Sequence, residues 1–192
     1  MSAYATGPFA SSGRFDVFVV GAYLDGLYKL TLVVHIFCAI VGFGAVYLNA
    51  LYGQQIRKRG GREGLAVFQA NFFVSGIGQY FIYAVFVFGI LLVLESSDAW
   101  KFSQTWVWLA MLLYVVALGV SHGVLQPALK RMQTLMQEMI DAGPPPAGAP
   151  PGPPPQATEM AALGQRVGAT GAFLDVMVVV ILALMVWKPG AS

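Results

Sequence analysis

Cysteine is almost absent: Cys38 is the only one in 192 residues. A single thiol excludes an intramolecular disulfide and any site built from several cysteines. Charge is scarce as well. Only 10% of the residues are charged and 57% are hydrophobic, whereas soluble domains carry about 25% charged residues. With a mean hydropathy of +0.68, the composition is that of a membrane protein. The net charge of +2 and the lack of a basic helix interleaved with aromatics give nucleic acid no footprint. The opening MSAYATGPFASSGRFD does not read as a signal peptide, because its first cation, Arg14, is followed by Asp16 and not by an apolar core. Ser2 does not suit myristoylation, and the ending KPGAS is no prenylation box.

What the chain has instead is long apolar runs. Residues 30–56, 64–94 and 102–129 carry no charge, and 169–187 carries only Asp175. A crossing helix needs about 20 apolar residues to span about 30 Å of hydrocarbon. Tyr28, Tyr52, Trp100, Trp106 and Trp187 stand near the ends of these runs, as interfacial aromatics do. The expectation is an all-α polytopic membrane protein: a four-transmembrane-helix bundle with a cytoplasmic amphipathic helix and a Pro-rich linker. Its parts are an N-terminal outer, interfacial segment (1–27), three transmembrane helices (28–129), the amphipathic helix (130–142), the linker (143–157), and the fourth helix with its tail (158–192).

The cations set the orientation. Arg57, Lys58, Arg59, Arg62, Lys130, Arg131 and Arg166 fall on the side of the first and third connections, seven in all. Arg14, Lys29, Lys101 and Lys188 fall on the other, four in all. Cytoplasmic loops carry the excess of Lys and Arg. The loops 53–66 and 130–168 are therefore expected in the cytoplasm and both termini outside, in a bacterial inner membrane.

Pro127 marks a kink or exit at the end of the third span. Beyond it, Met132, Leu135, Met136, Met139 and Ile140 recur at helical spacing, with Gln133, Gln137, Glu138 and Asp141 on other faces. Thioethers can bind Cu(I), but no His or Cys stands nearby, and apolar filling suits these methionines better. GPPPAGAPPGPPPQ, with eight prolines, forms neither helix nor sheet and reads as a polyproline tether of about 40 Å at 3.1 Å per residue.

Polar side chains inside a span are costly, so each is a candidate site. They are His35, Asn49, Asn71, Gln79, His122, Gln126 and Asp175. At 1.5 Å per residue from the outer ends, His35 lies about 12 Å down, with Tyr114 and Tyr83 as reachable partners at about 14 and 16 Å. Asp175, Gln79 and His122 lie at about 20, 22 and 25 Å, with Asn71 and Asn49 near 33–35 Å. The inner group suggests a proton path through His122, Asp175, Gln79 and Asn71, with a shared-proton contact between His122 and Asp175. A haem held by both histidines is disfavoured, because axial ligands to one iron must meet at one height and these differ by about 13 Å. His35 alone is a possible haem or metal ligand, or it is packing glue between helices. Cys38 shares its face, but a copper site would need a further soft ligand. His35, Ala39, Gly42, Val46 and Asn49 form a small and polar stripe. Asn71, Ser75, Gly78 and Gln79 form another on the second span, and the two are expected to face each other.

HIFCAIVGFGAVYLNALYG, the basic RKRGGREG and the polar-dotted second span resemble uncharacterised bacterial four-helix integral-membrane proteins related to the copper-resistance D domain and to HemJ-type protoporphyrinogen oxidases. The resemblance covers about residues 28–133. It implies a functional first-helix histidine, His35 here, and in the HemJ type an involvement of that histidine with haem b. Gly42 stands where that pattern has a tryptophan before Phe-Gly, and the second-half basic residue of the HemJ type has no match.

The first functional expectation is an accessory, assembly or partner-binding subunit of the cytoplasmic membrane with no enzymatic role of its own, joined to a protein partner or to its own copies. The alternative is a haem- or copper-linked redox or transport protein that uses His35. A small transporter fits less well, since the chain has few spans and no internal repeat.

Overall fold

The computed structural model describes residues 12–97, 99–143 and 155–190, with side chains from residue 25 onward. The start of the expected N-terminal segment and the proline tract 144–154 lie outside the described residues. All regular structure among the described residues is helical: α1 (Ser12–Arg59), α2 (Gly61–Leu94), α3 (Thr105–Val120), a π-helical turn (Ser121–Leu125), α4 (Gln126–Ala142) and α5 (Pro155–Trp187). Four helical stretches are long and apolar enough to cross a membrane: Asp25–Arg59, Gly61–Leu94, Thr105–Ala142 and Pro155–Trp187.

Two boundaries differ from the sequence expectation. The loop expected over 53–66 is helical except at Gly60, because the chain reverses within that one residue. Gly60 and Gly61 take φ of +63° and +48°, a left-handed backbone that other residues resist. The amide of Gly60 still closes on the carbonyl of Ile56 at 3.1 Å, and that of Gly64 on Gly60 at 2.7 Å. The basic residues Arg57, Lys58 and Arg59 therefore form the last turn of α1. The linker expected over 143–157 ends sooner, because α5 already begins at Pro155. No break separates α4 from the third apolar helix. Pro127 has no amide to give and its ring crowds the carbonyl four residues back. One wide turn absorbs the misfit, with the Gln126 amide on the Ser121 carbonyl, five residues back. The helix continues instead of ending.

Lipid gives no hydrophobic drive for helix association, so close backbone approach has to supply the contact. α1 and α2 form an antiparallel pair built this way. A Cβ on Gly78 would stand 2.8 Å from the Ala45 Cβ, and one on Gly42 would stand 3.0 Å from Ile82 Cγ1. Near the turn, a Cβ on Gly64 would meet the Ile56 carbonyl oxygen at 2.9 Å. Cys38, Val85, Ala110, Tyr114 and Ile181, from α1, α2, α3 and α5, make the buried core. Tyr114 joins its halves: its ring stacks on Phe86 at 5.3 Å and meets Phe43 edge-on at 6.5 Å, and its hydroxyl donates to the Ile82 carbonyl.

α4 differs from the other helices in being polar on one side. Leu135 is fully buried and Ala128 nearly so, while Lys130, Gln137 and Glu138 are exposed. Arg131 ties α4 to α5 through a two-pronged pair with Glu159, Nε to Oε1 at 2.7 Å and Nη2 to Oε2 at 3.0 Å. Elsewhere the outside of the bundle is apolar, with Phe73 71% and Val186 75% exposed, a surface suited to hydrocarbon and not to water.

Candidate functional site

The two polar stripes do face each other. Near the α1–α2 turn, Asn71 Nδ2 donates to Asn49 Oδ1 at 2.9 Å, and the Ser75 hydroxyl donates to the same oxygen at 3.0 Å. Asn49 is thus a double acceptor binding α1 to two successive turns of α2. Further along the seam, His35 presses against α2 at Gly89. A Cβ there would stand 3.3 Å from His35 Cε1 and 3.8 Å from Nδ1, so glycine makes room for the imidazole. Nδ1 is buried and has no hydrogen-bond partner. Thr31 and Cys38, one turn to either side, are buried as well.

The tyrosines expected near His35 are engaged elsewhere. Tyr114 is on the Ile82 carbonyl. Tyr83 pairs with His122, its hydroxyl 2.6 Å from Nε2, with the rings stacked at 5.9 Å. His122 lies on the π-turn, and its Nδ1 is 2.9 Å from the Leu118 carbonyl. A carbonyl only accepts, so Nδ1 carries a proton, and in the neutral ring Nε2 accepts from Tyr83. Both ring nitrogens of His122 are therefore in use. The expected contact between His122 and Asp175 is not formed. Asp175 belongs to α5, where its backbone carbonyl receives the Tyr47 hydroxyl at 3.5 Å and its Oδ1 is buried without a partner. Gln79 Nε2 is buried and unpartnered too. The contacts of Ala45 with Gly78 and of Tyr47 with Asp175 set Gln79 and Asp175 at similar heights in the bundle.

α2 serves as a ruler for the histidines. His35 stands at Gly89 and His122 at Tyr83, six residues or about 9 Å apart along the axis. Ligands to one iron share a height, so the pair does not bracket a haem. At His35 the Cε1–Nδ1 edge of the ring packs against Gly89. Among the described residues no group of three or more His, Cys, Asp or Glu side chains gathers to hold a metal.

Sequence reasoning missed the Tyr83–His122 pair. Its one available signal was Pro127, five residues past His122, where a helix interior has to widen or bend. No protein-family model, characterised protein or solved structure matches this chain.

Proposed function

We propose that the chain is a small polytopic protein of the cytoplasmic membrane that works as an accessory, assembly or partner-binding subunit. The observation that carries this reading is how the interior polar groups are used. Asn49, Asn71 and Ser75 join α1 to α2, and Tyr83 with His122 joins α2 to the π-turn. They act as ties between helices at separate heights and do not converge on one reacting centre. The orientation follows the cations. Arg57, Lys58, Arg59 and Arg62 cluster at the α1–α2 turn, and Lys130 and Arg131 lie on α4, which packs at the same end through Met136 and Gly64. That end is cytoplasmic by the positive-inside rule. α4 is then the cytoplasmic amphipathic helix, tethered to α5 by the Pro-rich linker, and both termini are outside.

A second reading, a haem- or copper-linked redox protein, draws support from one feature: an imidazole in an apolar seam with a buried, unpartnered nitrogen. Purification in mild detergent, with native mass measurement, metal analysis and a visible spectrum, separates the two. A colourless, metal-free protein in a complex of fixed stoichiometry supports the subunit reading. A Soret band or bound metal lost in His35→Ala overturns it.

A further inference from the structure

The end of the bundle opposite the α1–α2 turn is closed by a corner of aromatic rings. Trp100 and Trp106 meet edge to face, centroids 5.4 Å apart and planes at 85°. The Lys188 ammonium fills the corner, 3.8 Å from the Trp100 centroid and 5.6 Å from that of Trp106. Trp100 is braced without help from the lysine. Trp100 Nε1 donates to the Tyr28 hydroxyl at 3.2 Å, and the Trp100 amide donates to Ser96 Oγ at 3.0 Å. Trp106 stands in the first turn of α3, only 6% exposed, with its Nε1 buried and without a hydrogen-bond partner.

The lysine is anchored through its backbone. It follows the last residue of α5, with its amide on the Leu184 carbonyl. Its φ is +44°, a left-handed backbone uncommon for a residue with a Cβ. Two tryptophan faces at right angles, at these distances from a cation, make up the recognition chemistry of an ammonium cage, which takes alkylated ammonium groups in particular.

We propose that the Trp100–Trp106 corner is an ammonium-binding site, plugged in this structure by Lys188, and that it accepts an alkylated ammonium group when the lysine swings away. Methylated ammonium carries less bound water than a lysine head, so it enters an aromatic corner at lower desolvation cost. The ligand is either a small soluble quaternary ammonium compound or the headgroup of a choline lipid. The lipid source alone rests on the membrane placement proposed above, since the corner then sits at headgroup level.

The test uses the full chain in a detergent without choline. Tetramethylammonium chloride is titrated against wild type and Lys188→Ala, with sodium chloride at equal ionic strength as control, and tryptophan fluorescence is followed. Lys188→Ala is expected to show saturable quenching with a midpoint about tenfold lower than wild type. Trp100→Leu in that background abolishes the quenching, and Tyr28→Phe, which removes only the brace, weakens it. Absence of saturable quenching in a Lys188→Ala protein of unchanged helicity overturns the proposal, as does quenching that survives Trp100→Leu. Reconstitution into discs of mixed choline and glycerol lipids then separates the sources. Choline lipid retained by Lys188→Ala identifies the headgroup, and quenching by tetramethylammonium without such retention identifies a soluble ligand.

Discussion

Tyr83 and His122, which lies on the single π-helical turn of its helix, meet at 2.6 Å. Both side chains lie on the exposed side of the bundle, yet the hydroxyl proton and both ring nitrogens are used. A histidine in an apolar span thereby has its polar atoms turned to protein. Tyr83→Phe leaves the Nε2 lone pair without a donor. The expected loss is about 0.6 kcal/mol, up to about 1.7, the range measured for inter-helix hydrogen bonds in membranes. A double-mutant cycle with His122→Phe, followed by unfolding in mixed micelles, should return a coupling of that size. A coupling of zero would show that the pair adds nothing to stability.

Asn49 accepts from both Asn71 and Ser75. Asn49→Ala strands two donors at once, so its cost should exceed that of Asn71→Ala or Ser75→Ala. About 1–3 kcal/mol is expected when a buried group loses its partner. The Asn49→Ala/Asn71→Ala double variant should cost less than the two singles added, since it removes the Asn71 donor that Asn49→Ala alone strands. Strict additivity in the same unfolding assay would contradict the shared acceptor.

The Ala45–Gly78 approach allows a test by exchange. Gly78→Ala puts a methyl 2.8 Å from the Ala45 Cβ and should destabilise the α1–α2 pair by about 1–3 kcal/mol, the usual cost of overpacking. Ala45→Gly alone should cost less. The combination Ala45→Gly/Gly78→Ala restores the total volume and should recover most of the loss. Spin labels on the outer faces of α1 and α2 would report whether the helices move apart in Gly78→Ala and return in the exchange.

Beyond the apolar part of their helices, Arg131 and Glu159 form the tie between α4 and α5. The hydrogen bonds from the guanidinium, with its charge, hold the Glu159 carboxyl below its ordinary value of 4.5, against a smaller opposing effect of desolvation. A lowered carboxylate pKa contributes stability that is complete above the ordinary value and is lost as the pH falls through the lower, folded one. The α4–α5 distance, read by spin labels, should therefore hold steady from pH 7 to about pH 5 and increase in more acidic solution. Glu159→Gln should show the open distance at every pH. Both partners are exposed, so about 1 M salt should mimic part of the acid effect.

The helices themselves were legible because their signal is composition over long windows, and no single residue can spoil it. The stripe of His35, Gly42 and Asn49 was legible for a related reason: small and polar residues at helical spacing have few uses in lipid besides meeting a similar stripe. Partners across helices were harder to read. Axial counting set Tyr83 near the height of His35, but a tyrosine reaches several ångströms along the axis, and its hydroxyl meets His122 instead. His122 also falls on a π-helical turn, which a count at 1.5 Å per residue does not include. Lys188 followed the last span as an ordinary flanking cation, and only the fold brings it onto Trp100. Lateral placement depends on how helices rotate against one another, and rotation is set by contacts such as Gly78 on Ala45 that involve residues far apart in sequence.

The single-residue reversal at Gly60 has a mechanical consequence. A helix can slide along its neighbour, piston-fashion, only if the connection between them has slack. Here there is none, and the glycine contacts at Gly64, Gly78 and Gly42 act as teeth along the same seam. α1 and α2 are geared into one lever. Any movement by which this molecule answers a partner or a ligand has to run between that lever and the α3–α5 half, across Tyr114, the Tyr83–His122 bridge and the Tyr47–Asp175 contact.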